Sequence, residues 1–150
     1  MAVEEQHGTT ADPSLGFAWT FGGTGLILEV LSAYVRVRWL VLRRGPVATV
    51  SAVRGGLRAH TAADPDGLRE LRSLLFGRAV MRVLLALPTD SRCLMQSLVL
   101  TAMLARRGIY TTVVIGVRPA PTFAAHAWVE VDGRPILPSD EANYRRLAEI

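Results

Sequence analysis

The spacing of apolar residues changes from helical to strand-like within residues 89–117, TDSRCLMQSLVLTAMLARRGIYTTVVIGV. Residues 89–91 are all types that cap helix N-termini, and the apolar residues after them recur at three- and four-residue intervals. This pattern predicts a helix over 92–107, which Gly108 ends. The β-branched residues that follow then predict a strand over 109–117.

The segments after this strand predict a small antiparallel sheet. Residues 118–122 contain two prolines and predict a loop, and residues 123–131 predict a second strand. The Asp-Gly pair at 132–133 is a strong hairpin signal, so we expect a short return strand over 134–137. The tail, 141–150, is expected to form a helical turn or a final edge strand.

The first half of the chain predicts helices. The apolar run 25–44 predicts a long buried helix that the Gly-Pro pair at 45–46 ends, and residues 47–60 predict a weaker second helix. Residues 64–87 predict a further helix, because an Asp-Pro-Asp start is followed by leucine and valine at helical spacing.

Helices therefore precede strands, and we expect an α+β fold with N-terminal helices and a small antiparallel sheet. The length of 150 residues suits a single domain over 16–150, after a flexible tail over 1–15. Three aromatic residues follow this tail at alternating positions, and they indicate a short strand, a docking arm or a lid over the core. They are Phe17, Trp19 and Phe21.

The positive charge of the chain comes from arginine. All 17 basic residues are arginine, and the formal net charge is +4. The absence of lysine excludes a P-loop and lysine-based catalysis. The arginine excess fits either a GC-rich genome or an acidic peptide or protein partner. Nucleic acid is a weaker alternative, because the arginines are scattered along the chain.

The sequence predicts a cytoplasmic protein. No signal peptide is visible, and the apolar run 24–42 contains Glu29, Arg36 and Arg38, which argue against a membrane span. The single cysteine excludes an internal disulfide and fits a reducing compartment. Because no cluster has metal-ligand spacing, we expect no metal, and the proposed chemistry requires no cofactor.

Cys93 and His126 form the candidate catalytic pair. Cys93 lies in the first turn of a predicted helix, where free N–H groups and the helix dipole favour an anion and could bind an oxyanion. His126 lies in the middle of the second predicted strand, where it could be held beside that helix start as a general base. The alternatives are a buried structural cysteine and a histidine satisfied within the core.

Four segments together form a specific pattern: CLMQSL at 93–98, LARRGI at 104–109, VIGV at 114–117 and FAAHAWVEVDG at 123–133. This pattern resembles the leader peptidases of lasso peptide biosynthesis, a bacterial family of transglutaminase-like cysteine proteases. The resemblance spans roughly residues 65–137, and the HAWVE block with the upstream IGV is its most specific part.

The resemblance implies a papain/transglutaminase-like core whose Cys-His-Asp triad cuts the leader from a ribosomally made precursor. In that family, a small domain that binds the leader is either fused at the N-terminus or made as a separate protein. The sequence before the first long helix is too short for this domain, so the chain resembles the split form. Its implied partners are the precursor leader peptide, a separate leader-recognition protein and, as a further candidate, the ATP-dependent macrolactam cyclase.

The acidic member of the triad is assigned through hairpin register. The family pattern has an acidic residue about a dozen positions after the histidine, which falls here on Pro138, so the best candidate is Asp140. A three-residue hairpin loop would turn Asp140 to the face of His126, and a two-residue loop would turn it away. Asp132 has the right face but lies roughly 20 Å along the strand from His126.

Two further residues are candidates for lining the substrate cleft. Gln96 lies one turn after Cys93, and Trp128 shares the strand face of His126. Their alternatives are a solvated helix residue and a packed core residue. The same core also suits two other functions: a non-catalytic module that carries the leader, and an amide-transferring acyltransferase.

Overall fold

Three helices precede a four-stranded antiparallel sheet in the part of the chain that the computed structural model describes, residues 14–55, 66–87, 92–136 and 143–150. The helices are α1 (Ser14–Arg54), α2 (Asp66–Leu85) and α3 (Arg92–Ala105). The strands are β1 (Thr112–Arg118), β2 (Ala124–Val131), β3 (Arg134–Pro135) and β4 (Arg145–Glu149). This order confirms the predicted α+β class.

The first helix is longer than its sequence pattern predicts. The backbone of 17–21 belongs to α1, so the short-strand interpretation of the three aromatic residues is wrong, since a brief alternation does not separate strand from helix. The predicted break is confirmed, because Gly45 has a φ of 76° and Pro46 follows it. The predicted tail up to residue 13 and the end of the weaker second helix lie outside the described residues.

The C-terminus of α3 ends in a left-handed turn at Gly108. This residue has a φ of 73° and donates from its N–H to the Ala105 carbonyl, while the Ile109 N–H donates to the Leu104 carbonyl. These two bonds form a Schellman motif. Because the helix stop uses Ile109, β1 begins at Thr112 rather than at residue 109, where the β-branched pattern begins.

The sheet has the strand order β3-β2-β1-β4. A two-residue turn joins β2 to β3, with Val131 opposite Arg134, and β3 is shorter than the predicted return strand. The C-terminal segment is an edge strand, which was one of its two predicted structures, and it pairs with β1. Arg54 of α1 donates hydrogen bonds to the carbonyl oxygens of Ile150, which follows β4, and Thr111, which precedes β1, and these bonds hold the end of the sheet against α1.

The core lies between the helices and one face of the sheet. Its fully buried members include Val30 and Val37 of α1, Leu98 of α3, and Val113 and Val129 of the sheet. Alternation along β2 places Ala127, Val129 and Val131 towards this core. Within the described ranges, no helix is both long and apolar enough to cross a bilayer.

One ion pair joins the helices at the end of α3. Arg107 donates two 2.8 Å hydrogen bonds to the Glu29 carboxylate of α1, and its guanidinium lies 4.0 Å from the Phe76 ring centroid of α2. The hydrogen bond from Arg107 holds the pKa of Glu29 below its ordinary value, against the opposing effect of burial. Arg107 therefore connects all three helices.

Candidate active site

Cys93 is the second residue of α3, and its thiol is free and half-buried. At this position it belongs to the helix turn whose backbone N–H groups have no partner within the helix. Gln96 follows one turn later and is also half-buried. The capping residues predicted for this helix, 89–91, lie outside the described residues.

His126 is the third residue of β2 and is half-buried between two aromatic rings. Its ring centroid lies 6.0 Å from that of Trp128, in a stacked arrangement with an interplanar angle of 22°. The Tyr144 ring lies on a second side, with centroids 5.3 Å apart and planes tilted by 40°. These two rings limit the orientations that the imidazole can adopt.

Tyr144 was not among the residues that the sequence indicated. It immediately precedes β4, so its approach to His126 depends on the pairing of β4 with β1. The sequence signal for that strand was weak, because β4 is exposed along its whole length and shows no alternation of apolar and polar residues.

Trp128 is held by a buried hydrogen-bond network. Its Nε1 donates a 2.9 Å hydrogen bond to Oε1 of Glu130, and the same oxygen accepts a 2.5 Å bond from Arg146 of β4. Trp128 is only 2% exposed, and its ring stacks on that of His126. A role for Trp128 in lining a substrate cleft stays a prediction. Hydrogen bonding to Glu149, and then the charge of Glu130, raises the pKa of Arg146 further above its ordinary value.

Gly116 provides the space in which the Trp128 ring packs. It lies opposite His126 across the β1–β2 pair. A Cβ atom at Gly116 would come within 2.8 Å of the Trp128 ring and 2.9 Å of the Tyr144 Cβ atom. The VIGV segment therefore contains a strand glycine that the aromatic packing around His126 requires, because a larger residue would not fit there.

Alternation along β2 places His126, Trp128 and Glu130 on the face opposite Val129 and Val131, which pack in the core. The imidazole therefore does not point into the helical core. The approach of the Cys93 thiol of α3 to this imidazole therefore stays a prediction.

Asp140, the predicted acidic member of the triad, lies outside the described residues. The hairpin has the two-residue turn, and Ile136 continues the same register by donating from its N–H to the Val129 carbonyl. This corrects the three-residue loop on which the preference for Asp140 depended. The described pairing ends before residue 137, so the position of Asp140 stays a prediction.

Two arginines lie near the aromatic rings that flank His126, and one of them, Arg146, is already paired with Glu130 and Glu149. The Arg118 guanidinium lies 5.4 Å from the Tyr144 ring centroid, and Arg146 lies 6.0 Å from that of Trp128. Within the described ranges, no group of three histidine, cysteine, aspartate or glutamate side chains could hold a metal ion.

A cavity of about 250 Å³ lies between α2 and the β2–β3 hairpin. Ion pairs from Arg69 to Asp132 and from Arg134 to Glu70 cross its rim. Neither Cys93 nor His126 lines this cavity, so it is separate from the candidate catalytic pair.

Comparison with known proteins identifies one family. Residues 30–150 match the family model described as the transglutaminase-like superfamily, which covers both Cys93 and His126. No curated protein and no solved structure gave a significant match.

Proposed function

We propose that this chain, which belongs to the transglutaminase-like superfamily, is a cysteine peptidase that removes the leader from a lasso peptide precursor. The superfamily contains cysteine proteases and acyltransferases, and the chain shares its α+β architecture. The finer assignment rests on the resemblance of its Cys93, VIGV and HAWVE segments to the leader peptidases.

The proposal is supported by the packing of α3, whose second residue is Cys93, against β2, which carries His126. The Thr111 hydroxyl donates a 3.2 Å hydrogen bond to that of Thr101, so the chain has turned back beside α3 before β1 begins. Cys93 precedes Thr101 by about 12 Å along the helix. Gly116, the partner of His126, follows Thr111 by about 17 Å along the strand. These two distances differ by about 5 Å, so a contact between the Cys93 and His126 side chains is a prediction of this proposal and not an observation.

The chemistry is acyl transfer to a thiol. The Cys93 sulfur attacks the scissile carbonyl carbon, His126 accepts the thiol proton, and the free N–H groups of the first turn of α3 stabilise the oxyanion. As the C–N bond breaks, His126 returns the proton to the leaving amine and a thioester remains on Cys93. Water, deprotonated by His126, then hydrolyses the thioester and restores the thiol.

Asp140 is proposed to orient the imidazole and stabilise its cation. This role requires the chain after residue 136 to leave the observed two-residue register, because that register would turn Asp140 away from His126. A separate leader-recognition protein is proposed to deliver the precursor, and the macrolactam cyclase to act on the released core. Arg118, beside the Tyr144 ring, provides a cationic group near His126 that suits an acidic residue of a peptide substrate.

The proposal is tested by incubating the chain with a lasso precursor and a recognition protein and measuring the products by mass spectrometry. Cleavage between leader and core is expected for the natural chain and is expected to be lost in Cys93→Ala and His126→Ala. An unchanged circular dichroism spectrum of Cys93→Ala would separate lost chemistry from lost folding. Equal cleavage by the natural chain and Cys93→Ala would overturn the proposal.

The acyltransferase is the second candidate, because it uses the same thioester and belongs to the same superfamily. Adding a primary amine to the assay distinguishes the two reactions. A peptidase yields a free carboxylate at the cleavage site, whereas an acyltransferase yields a product that carries the mass of the amine. A transfer product as the main species would favour the second candidate.

A further inference from the structure

The helix α1 carries an apolar stripe on the side that faces away from the core. Its inward side is buried through Val30, Ala33 and Val37. The outward residues follow one another at spacings of seven, four and three, which places them on one helix face. We call this surface the outer stripe; each of its members is at least half exposed. They are Leu28, Val35, Trp39 and Leu42.

Arginine residues border the outer stripe on both sides. Arg36 and Arg43 lie on one flank and Arg38 lies on the other, by the helical spacing of their positions. Arg43 stacks 4.8 Å from the Trp39 ring centroid, so its aliphatic stem widens the apolar surface. The single acidic residue of α1, Glu29, is already paired with Arg107. No carboxylate of α1 therefore neutralises these borders.

A cavity of about 270 Å³ adjoins one border of the outer stripe, between α1 and α3. Small residues such as Ala33 and Ala102 line it, and Arg36 and Arg106 provide two cationic groups. Arg36 belongs both to this cavity and to the border of the stripe. The cavity can therefore accept a side chain from a molecule that covers the stripe, and an acidic side chain matches its charge.

We propose that the outer stripe and its bordering arginines form a docking surface for an amphipathic helix of an acidic partner protein. The apolar face of that helix would cover Val35, Trp39 and Leu42, and its flanking carboxylates would pair with Arg36, Arg38 and Arg43. The proposal is independent of the peptidase assignment, since none of these residues belongs to the candidate catalytic pair.

Charge and shape argue against the two other occupants of such a surface. A second copy of this chain, packed stripe to stripe, would bring its own arginines against those of the first, and like charges at an interface are unfavourable. Anionic headgroups of a bilayer would match the arginines, but a flat bilayer surface would not follow the concave cavity between α1 and α3. An acidic protein helix can pair with the bordering arginines and can also insert a side chain into the cavity.

The probe is a labelled synthetic peptide with leucine at helical spacing and glutamate on both flanks, and the matched peptide carries lysine in place of glutamate. Fluorescence anisotropy is expected to show saturable binding of the glutamate peptide alone. The double variants Val35→Ser/Leu42→Ser and Arg36→Glu/Arg43→Glu are each expected to weaken binding by at least about tenfold. Leu147→Ser and Arg78→Glu change exposed residues elsewhere and should bind as the natural chain does.

Three results would overturn the proposal. The first is a failure of the glutamate peptide to recognise the surface: it does not bind, or it binds the natural chain and both double variants equally. Circular dichroism verifies that the variants are folded. The second is co-sedimentation with phosphatidylserine vesicles that the stripe variants lose, which would indicate a bilayer. The third is a concentration-dependent dimer that the stripe variants abolish, which would assign the surface to a second copy.

Discussion

The Trp128 indole nitrogen donates a 2.9 Å hydrogen bond to the Glu130 carboxylate, two residues further along β2. Arg146 of β4 donates to the same carboxylate oxygen, so one buried acid ties together two strands that are not neighbours in the sheet. Because Trp128 stacks on His126, this network determines the surface against which the imidazole rests.

Glu130→Gln is expected to destabilise the protein, because the buried carboxylate is replaced by an amide that accepts the Arg146 bond more weakly. A loss of about 1–3 kcal/mol in the free energy of unfolding is expected, with a change in tryptophan fluorescence. Urea denaturation measures the first quantity. Glu149→Gln is the matched control, and its exposed ion pair with the same arginine should cost less than about 1 kcal/mol. Equal losses would contradict the proposed importance of Glu130.

Gly116→Ala is expected to disturb the aromatic packing around His126. The new methyl group would meet the Trp128 ring and the Tyr144 Cβ atom at less than 3.0 Å, and the second atom moves only with its backbone. A loss of about 1–3 kcal/mol is expected, together with a changed near-ultraviolet circular dichroism spectrum.

Gly25→Ala is the control for this substitution. Gly25 is helical and exposed, and a Cβ atom there meets nothing within 4 Å. Alanine should therefore leave the stability unchanged or raise it by up to about 1 kcal/mol. If both alanine variants unfold at the same urea concentration as the natural chain, the tight packing at Gly116 is refuted.

The Glu29–Arg107 pair predicts an acid-dependent part of the stability. The pKa of Glu29 is lowered in the folded state, so its carboxylate stabilises the fold above the ordinary value of 4.5, and this contribution is lost as pH falls through the folded value. Glu29→Gln should therefore destabilise the protein at pH 7 and make a smaller difference at pH 3. Denaturation at the two pH values measures this change. A destabilisation that is independent of pH would assign the effect to packing instead.

Asp140→Asn is expected to lower kcat for leader cleavage by roughly 100-fold or more, because the histidine would lose the group that orients it. Asp132→Asn is the matched control. Asp132 has 74% of its side chain exposed and a distant 3.8 Å ion pair with Arg69, so its amide variant should retain nearly full activity. Loss of activity in Asp132→Asn alone would assign the acidic member of the triad to Asp132, in the β2–β3 turn.

Helices α2 and α3 and strand β2 could be predicted because each has a strong local signal, whereas α1 begins earlier than its apolar run predicts. In the sequence of α3, the cap-type residues, the apolar spacing and the terminal glycine agree with one another, and the Asp-Gly pair predicts the hairpin. The predicted start of β1 at residue 109 was wrong. The Ile109 N–H donates a hydrogen bond that ends α3, and the β-branched sequence pattern does not reveal this bond.

The candidate pair was predicted from residue type and position and stays a prediction, whereas the residues that surround His126 could not be predicted. Tyr144 and Arg146 reach the neighbourhood of His126 only through the pairing of β4 with β1, a contact between segments far apart in the sequence. The length of the hairpin loop could not be predicted either, because an Asp-Gly pair occurs in turns of more than one length. A difference of one residue in that length reverses the sheet face on which every following side chain lies.

The rate of alkylation of Cys93 tests the catalytic pair most directly. The chain has one cysteine, so intact mass measurements after exposure to iodoacetamide at pH 7 report on that thiol alone. We expect fast modification of the natural chain and a rate at least about tenfold lower in folded His126→Ala, because the imidazole would no longer accept the thiol proton. Equal rates for the two proteins would contradict the account.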